Sequence, residues 1–448
     1  MDMDRFCIII CRPQVFVFLL LLLELPKANG NCAYIESQTH CVCSLLNQSE
    51  IRNFIQCLPA TTYELRGGNL EQFTPFSGTR PNPEVIDILQ ALQVSKLIFT
   101  DLIVPEVLLP PALEFVSYTP TVSELAFVNC TFLKAVNGIA AKRWDLKVSS
   151  LRFHRVTAAP VADRLDLLSL SSWLGNLKNL TVTESQVTTI PCKIGQVFRA
   201  LLVLDVSGNH FQDQSIKSSF CQGAFPQLQV LKLQHNNLTS YDSVCEALVH
   251  LSMLAHLDLS QNDFPQRFSS LCTWPQSLRI LNVSNTGLEH MDMALPPNIE
   301  ILDLSANKVI TLDLSLSSLK ELYLSNNRLQ AFPSVNRLPS LEVLSLDQNQ
   351  ISQLPNGLKR LQSLKAGHNF YNCSCPHIKI IQDLATKESL LPDWPQDYKC
   401  KSPSEYQDAL VKDVPLSLLQ CNKALTRHGT MVVLLTSCFH LVFCLFFV

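Results

Sequence analysis

Residues 231–238 read LKLQHNNL, and the same figure returns as LDLSQNDF (257–264), LDLSANKV (302–309), LYLSNNRL (322–329) and LSLDQNQI (344–351). Each fits L-x-L-x-x-N-x-L, usually with a further apolar residue three positions earlier. The alternation in L-x-L sends two leucines to one side of a short strand and the residue between them to the other. The chain must then turn sharply. Such a turn buries backbone N–H and C=O groups, and an Asn amide both donates and accepts, so it can satisfy them. Asn209, Asn236, Asn262, Asn307, Asn327, Asn349 and Asn369 hold that position, with Thr286 in one copy. Looser copies upstream place Leu102, Cys130, Val156 and Ser185 there, which makes twelve copies spaced 20 to 29 residues apart.

This is the template of leucine-rich repeats. The expected fold is an α/β leucine-rich-repeat solenoid, a curved horseshoe with a parallel sheet on its concave face. Its N-terminal cap is expected over 31–90, its repeats over 91–371 and its C-terminal cap over 372–421. Concave positions such as Asp258, Ser260, Asp303, Ser305, Tyr323 and Ser325 lack the aromatic and Arg clusters that anchor protein interfaces. His235 and His368 also fall at variable concave positions and read as surface residues. Cys130 on the ladder reads as a buried small hydrophobe.

The ends carry processing signals. Val15 to Leu23 is a nine-residue apolar core, closed by Glu24 and Pro26, and Ala28-Asn29-Gly30 offers a cleavage site, so 1–30 reads as a signal peptide. Met431 to Val448 is apolar for eighteen residues. With small residues at Asn422 and Ala424 and a polar spacer over 422–430, it is expected to be a lipid-anchor signal attached at Asn422. A terminal membrane span is the alternative. Either places the chain on the extracellular face of the plasma membrane and leaves signalling to a partner.

Removing Cys7, Cys11, Cys438 and Cys444 with those ends leaves 17 − 4 = 13 cysteines. Behind a signal peptide they read as disulfides rather than zinc ligands. In the middle, Cys192–Cys221 and Cys245–Cys272 are expected pairs on the convex side. Six sequons, at Asn47, Asn129, Asn179, Asn237, Asn282 and Asn372, agree with secretion. The net charge of −3 comes with no basic stripe, so nucleic acid is not an expected partner. The sequence holds no H-E-x-x-H, no G-x-S-x-G and no phosphate-binding glycine loop, which argues against an enzyme and gives no cofactor site.

Cys373-Ser-Cys375, Cys400 and Cys421, with DWPQDYKCKSP (393–403) among them, resemble the C-terminal cap of Toll-like receptor ectodomains. That resemblance implies Cys373–Cys400 and Cys375–Cys421. Further forward, Cys41-Val-Cys43, Cys57, YELRGGNLEQF (63–73) and ILQALQVSKLIFTDLIVPEVLL (88–109) are similar to the myeloid lipopolysaccharide co-receptor family. The likeness continues into LNVSNTGLEHMDMALPPNIEILDLSANKV (281–309) and covers most of 32–310. It implies Cys32–Cys43, Cys41–Cys57 and an N-terminal hydrophobic pocket for the acyl chains of bacterial lipopolysaccharide. It also implies delivery by a serum lipid-transfer protein and hand-over to a Toll-like receptor complex.

The local residues suit such a pocket. Phe73, Phe76, Leu89, Phe99, Val107, Leu108, Leu109, Leu113, Phe115 and Tyr118 crowd into 46 residues with irregular repeat spacing. Arg66, Arg80 and Lys96 are candidate rim cations for lipid phosphates, although solvated surface charge is the preferred reading for each. The rival readings are an anchored repeat module that binds another protein, and a Toll-like receptor ectodomain without its signalling domain.

Overall fold

The computed structural model describes residues 31–44, 56–70, 86–87, 90–105, 116–133, 147–158, 174–264, 272–333, 335–387, 389–417 and 419. The expected signal peptide over 1–30, the expected anchor residue Asn422, the expected spacer and the apolar tail lie outside the described residues. The chain divides into two compact units: Met1–Asn282 with Ala294–Pro297, and Val283–Met293 with Asn298–Val448.

The first unit opens with an antiparallel hairpin, β1 (Asn31–Ile35) and β2 (His40–Ser44), whose register sets Cys32 opposite Cys43. Those two cysteines are bonded, and Cys41 is bonded to Cys57. Parallel strands follow, with one side chain in two facing the interior. They are β3 (Thr62–Asn69), β4 (Lys96–Pro105), β5 (Glu124–Val128), β7 (Ser150–His154), β8 (Asn179–Thr183) and the three-residue β9 (Val203–Asp205), β10 (Val230–Lys232), β11 (His256–Asp258) and β12 (Ile280–Asn282). A short β6 (Thr131–Leu133) pairs with the far end of β4. Opposite this sheet lie helices α1 (Cys192–Val197), α2 (Asp213–Ser219) and α3 (Tyr241–Leu248). Disulfides Cys192–Cys221 and Cys245–Cys272 tie α1 and α3 down. Tyr241 and Trp274, ring to ring, both donate to the Ala294 carbonyl at 2.9 Å.

The second unit carries β13 (Ile301–Asp303), β14 (Glu321–Tyr323), β15 (Val343–Ser345) and β16 (Ser363–Lys365), in register leucine on leucine: Leu302, Leu322, Leu344, Leu364. These central leucines are at most 1 % exposed. Each such burial contributes about 1.5–3 kcal/mol. The unit closes with a small cap in which β17 (Tyr371–Asn372) pairs with β18 (Cys400–Ser402) and Cys373 is bonded to Cys400. Helix α4 (His377–Ala385) turns Ile378, Ile381 and Leu384 inward. Cys375 is also disulfide-bonded, and Cys421 lies outside the described residues. In the first unit the described parallel strands up to β12 lie in one sheet with β1 and β2 at its start, and in the second β17 and β18 form a separate two-stranded sheet.

The asparagine ladder works as its chemistry requires. Asn262 Nδ2 donates to the carbonyls of Leu259 (2.8 Å) and Leu233 (3.0 Å), its own repeat and the preceding one. Its Oδ1 accepts from the N–H groups of Asn236 and Leu238, both at 3.2 Å. In the second unit Asn307 does the same with Leu304, Val283, Thr286 and Leu288. Thr286 has one hydroxyl and donates it to Val283 at 2.7 Å.

Candidate functional site

The N-terminal repeats are built differently, and the difference exposes their interior. Register places Tyr63 beside Leu97 and Leu65 beside Phe99, then Leu97 beside Leu125 and Phe99 beside Phe127. All six lie on the inward side. Tyr63, Phe99, Leu125 and Phe127 are buried, as that side requires. Leu65 and Leu97 are only half-buried. Every central leucine from Leu180 onward is 0 or 1 % exposed, so solvent reaches the inward side at β3 and β4. Behind them Phe99 stacks on Phe127 at 4.8 Å and Phe127 on Phe153 at 5.4 Å, with Phe132 edge-on to both Phe127 and Phe153. Tyr118 is also buried nearby in sequence. Burial pushes the Tyr63 hydroxyl up to about 12, and it donates to the Cys57 carbonyl at 2.6 Å.

Of the expected pocket residues, Phe99 and Tyr118 are therefore interior residues. Phe73, Phe76, Leu89, Val107, Leu108, Leu109, Leu113 and Phe115 lie outside the described residues, as does Arg80. Arg66 and Lys96 stand on the opposite, concave face. Strand parity puts Arg66 on the same side as Glu64, and its Nε and Nη2 both donate to Glu64 Oε1 at 2.9 and 2.7 Å. His40 Nε2 approaches the other oxygen at 3.2 Å. Lys96 pairs with Glu124 at 2.7 Å. Both cations are thus committed to carboxylates on the far side of the sheet from Leu65 and Leu97.

Other strand residues in each unit are partnered in the same way. Asp205, Asp258 and Asp303 each accept from the backbone N–H of the serine two residues on, at 2.9–3.0 Å. Arg155 pairs with Glu184 at 2.8 Å, and this hydrogen bond holds the carboxyl below its ordinary range. Burial lowers His154, whose Nδ1 lies 3.0 Å from the Thr183 hydroxyl.

Among the sequons, Asn129 and Asn237 are exposed, and Asn179, Asn282 and Asn372 are half-buried. Asn129 donates to Asp101 Oδ1 at 3.2 Å. Asn47 lies outside the described residues. Cys130 is a free, buried thiol. It points at the carbonyls of Phe99 and Val128, and burial pushes it up to about 11. Cys32, Cys41 and Cys43 come close enough to share a metal ion, but disulfides occupy all three. Among the described residues no helix is long and apolar enough to cross a membrane.

The model of the family "Leucine Rich repeats (2 copies)" matches residues 317–360, within the most regular part of the ladder. The chain is a leucine-rich-repeat protein. It is related to Toll-like receptor 2. The Cricetulus griseus protein is 32 % identical over 375 residues, covering 82 % of this chain and 47 % of that one. The Mus musculus protein is 32 % identical over 394 residues, with 85 % and 49 % covered, and the Homo sapiens protein 34 % over 315, with 68 % and 40 %. The chain spans about half the length of the curated relatives it matches. The crystal structure of the mouse RP105/MD-1 complex superposes with a TM-score of 0.52 at 17 % identity, covering 79 % of this chain and 63 % of that one, a likeness of fold.

The inward leucines Leu65 and Leu97 were not among the sequence candidates. Both could have been found by register, because they fall on leucine positions in copies without a ladder Asn.

Proposed function

We propose that this chain is a recognition module of a cell-surface receptor system that takes the acyl chains of an amphiphile into the interior of its N-terminal repeats. The observation that carries the reading is the half-exposure of Leu65 and Leu97 on the side of the sheet that is sealed everywhere downstream. An aliphatic chain entering there gains about 0.8 kcal/mol per buried CH₂. The sequence over 104–115, VPEVLLPPALEF, is rich in apolar residues, which suits this reading. Similarity to Toll-like receptor 2 over four-fifths of the chain supports a receptor-type role.

On this reading the ligand is bacterial lipopolysaccharide or another acylated lipid. A serum lipid-transfer protein supplies it, and a Toll-like receptor complex receives it. A glycolipid anchor at Asn422 holds the module on the cell, and sugars on the exposed Asn129 and Asn237 keep it soluble. The cationic rim is not required, since Arg66 and Lys96 are already paired.

The test is retention of fluorescent lipopolysaccharide by the purified chain through gel filtration. Leu97→Trp fills the interior beside Tyr63 and Leu125, and Leu109→Glu with Leu113→Glu places carboxylates in the apolar run, where desolvating them opposes lipid entry. Both variants are expected to keep the wild-type melting temperature and lose the co-eluting lipid. Well-folded variants that retain lipid normally would show that the interior is not the site.

A further inference from the structure

Two of the sequons begin on strands of the first unit, and strand parity puts both asparagines on the same face. In β8 the alternate side chains Leu180 and Val182 point inward and are 0 % exposed, so Asn179 and Thr181 point outward. In β12 Leu281 is inward, also at 0 %, so Asn282 points outward. Both asparagines are half-buried on the concave face, and a register slip of one residue would have sealed either amide inside. The register between them is continuous: Thr181 pairs with Asp205, Asp205 with Lys232, Lys232 with Asp258 and Asp258 with Asn282. By strand spacing and rise, Lys232 lies roughly 10 Å from Asn282 and roughly 12 Å from Asn179. Among the described residues, the outward positions of β8 to β12 hold no Trp, Tyr, Phe or Arg, the side chains that anchor protein interfaces.

We propose that Asn179 and Asn282 carry N-linked glycans that close this part of the concave face to protein partners, so that a partner meets the first unit on another side. In the oxidising compartment that the disulfides imply, the donor is an oligosaccharide on a polyisoprenyl diphosphate. The anomeric carbon of its first sugar breaks from the diphosphate oxygen and bonds Asn Nδ2, which gives up one proton, and the polyisoprenyl diphosphate leaves. The transfer needs a hydroxyl residue two places after the Asn, and Thr181 and Ser284 supply it. The amides react before the sheet forms. The folded sheet then tolerates each sugar because parity sends its root to solvent, beside Ser150 and Val203 for Asn179 and beside Asp258 for Asn282. A bulky, hydrated oligosaccharide on the first and the last of these five strands overhangs the polar surface between them. Both sugars stand on the face opposite Leu65 and Leu97 and leave the inward side untouched.

The experiment uses the full chain expressed in animal cells. Mass spectrometry of its glycopeptides is expected to find Asn179 and Asn282 glycosylated in most molecules. Lys232, between the two roots, then reports on access to the face. A small amine-reactive ester should label Lys232 alike in wild type and in the Asn179→Gln, Asn282→Gln double variant. The same ester carrying a long polyethylene glycol should label it at least about fivefold faster in the double variant. If that variant melts lower or is not secreted, wild type treated with peptide N-glycosidase, which leaves Asp at each site, takes its place in the comparison. An empty Asn179 or Asn282 overturns the proposal. So does a ratio of bulky to small labelling at Lys232 that removal of the glycans leaves unchanged.

Discussion

The repeats before β9 and those from β9 onward satisfy the same backbone groups by different means. From Asn209 on, an amide at each ladder position except Thr286 bonds its own turn and the one before. The strands can then be three residues long, because the side chain does the rest. Upstream, Leu102, Cys130 and Val156 carry no amide, and the backbone compensates. Strands β5, β7 and β8 are five residues long, β4 is ten, and Phe132 and Thr157 continue main-chain pairing past the turn. Ser185 is the hinge between the two schemes: its hydroxyl accepts from Val156, and its N–H donates to Asn209. The amide scheme fills the turn and seals the interior. The main-chain scheme leaves room for phenylalanines; solvent reaches Leu65 and Leu97 at β3 and β4, while Leu125 and Leu151 in the same scheme stay buried.

The strongest way to break this comparison is to remove an amide. Asn307→Leu leaves the Thr286 and Leu288 N–H groups without their acceptor in a buried turn, while the Val283 and Leu304 carbonyls keep the Thr286 hydroxyl and Asn327 Nδ2 as donors. At ~1–3 kcal/mol for each of the two unsatisfied N–H groups, softened by relaxation, the loss is about 2–4 kcal/mol in urea unfolding. The matching deletion upstream, Cys130→Ala, leaves the main-chain pairing of its turn in place and is expected to cost no more than about 1 kcal/mol. Equal losses at the two positions would erase the distinction. The second unit also depends on its cover. Cys373→Ser opens a cap whose Tyr371 and Tyr398 are stacked at 5.7 Å, and should cost about 2–5 kcal/mol, read as a lower melting temperature and retention inside the cell.

The repeat unit, the leucine registers and the Asn positions were legible because each depends on one residue type at a fixed offset. One equally regular feature was not. The residue just before the ladder position adopts a left-handed backbone in all twelve copies: Asp101, Asn129, Arg155, Glu184, Gly208, His235, Gln261, Asn285, Ala306, Asn326, Gln348 and His368. Only Gly208 and the Asn and Asp residues announce it; Arg155, Glu184 and Gln261 hide it, because the pairing around them imposes the conformation. The candidate site was half legible for a similar reason. Apolar crowding marked the region, but which residues face inward is a matter of strand parity. The parity that turns Leu65 inward also ties Arg66 to Glu64 outside.

A smaller effect sharpens the contrast at Cys130. Its ionisation is pushed up to about 11 by burial, against an ordinary value near 9. A raised value on an acid means that the folded state resists losing the proton. The stability is therefore fully present below pH 9 and is lost as the pH rises toward 11, by about 2–3 kcal/mol. Cys130→Ala should flatten that part of the pH profile relative to wild type. Iodoacetamide should leave the native thiol unmodified at pH 8 and label it after unfolding. Rapid native labelling would mean that the main-chain scheme does not close over Cys130.

The smallest expected effect carries an unusual sign. Ala306 sits at φ 56°, immediately before Asn307, and its N–H donates to the Ser325 carbonyl at 2.8 Å, so the conformation is pinned from the next repeat. An L side chain pays roughly 1–2 kcal/mol there, and glycine does not. Glycine also gains freedom in the unfolded chain, which offsets about 0.4–1 kcal/mol. The net expectation for Ala306→Gly is a stabilisation of about 0.5–1 kcal/mol, where the same change inside a strand would destabilise by a similar amount. Gly208 occupies the equivalent place in the first unit at φ 68°, and a Cβ there would lie 2.9 Å from Glu184 Cγ. Gly208→Ala should therefore lose stability for the conformational reason that Ala306→Gly gains it, with the contact adding to the loss. Urea midpoints moving in the same direction for both substitutions would show that the ladder asparagine, and not the turn before it, sets the geometry.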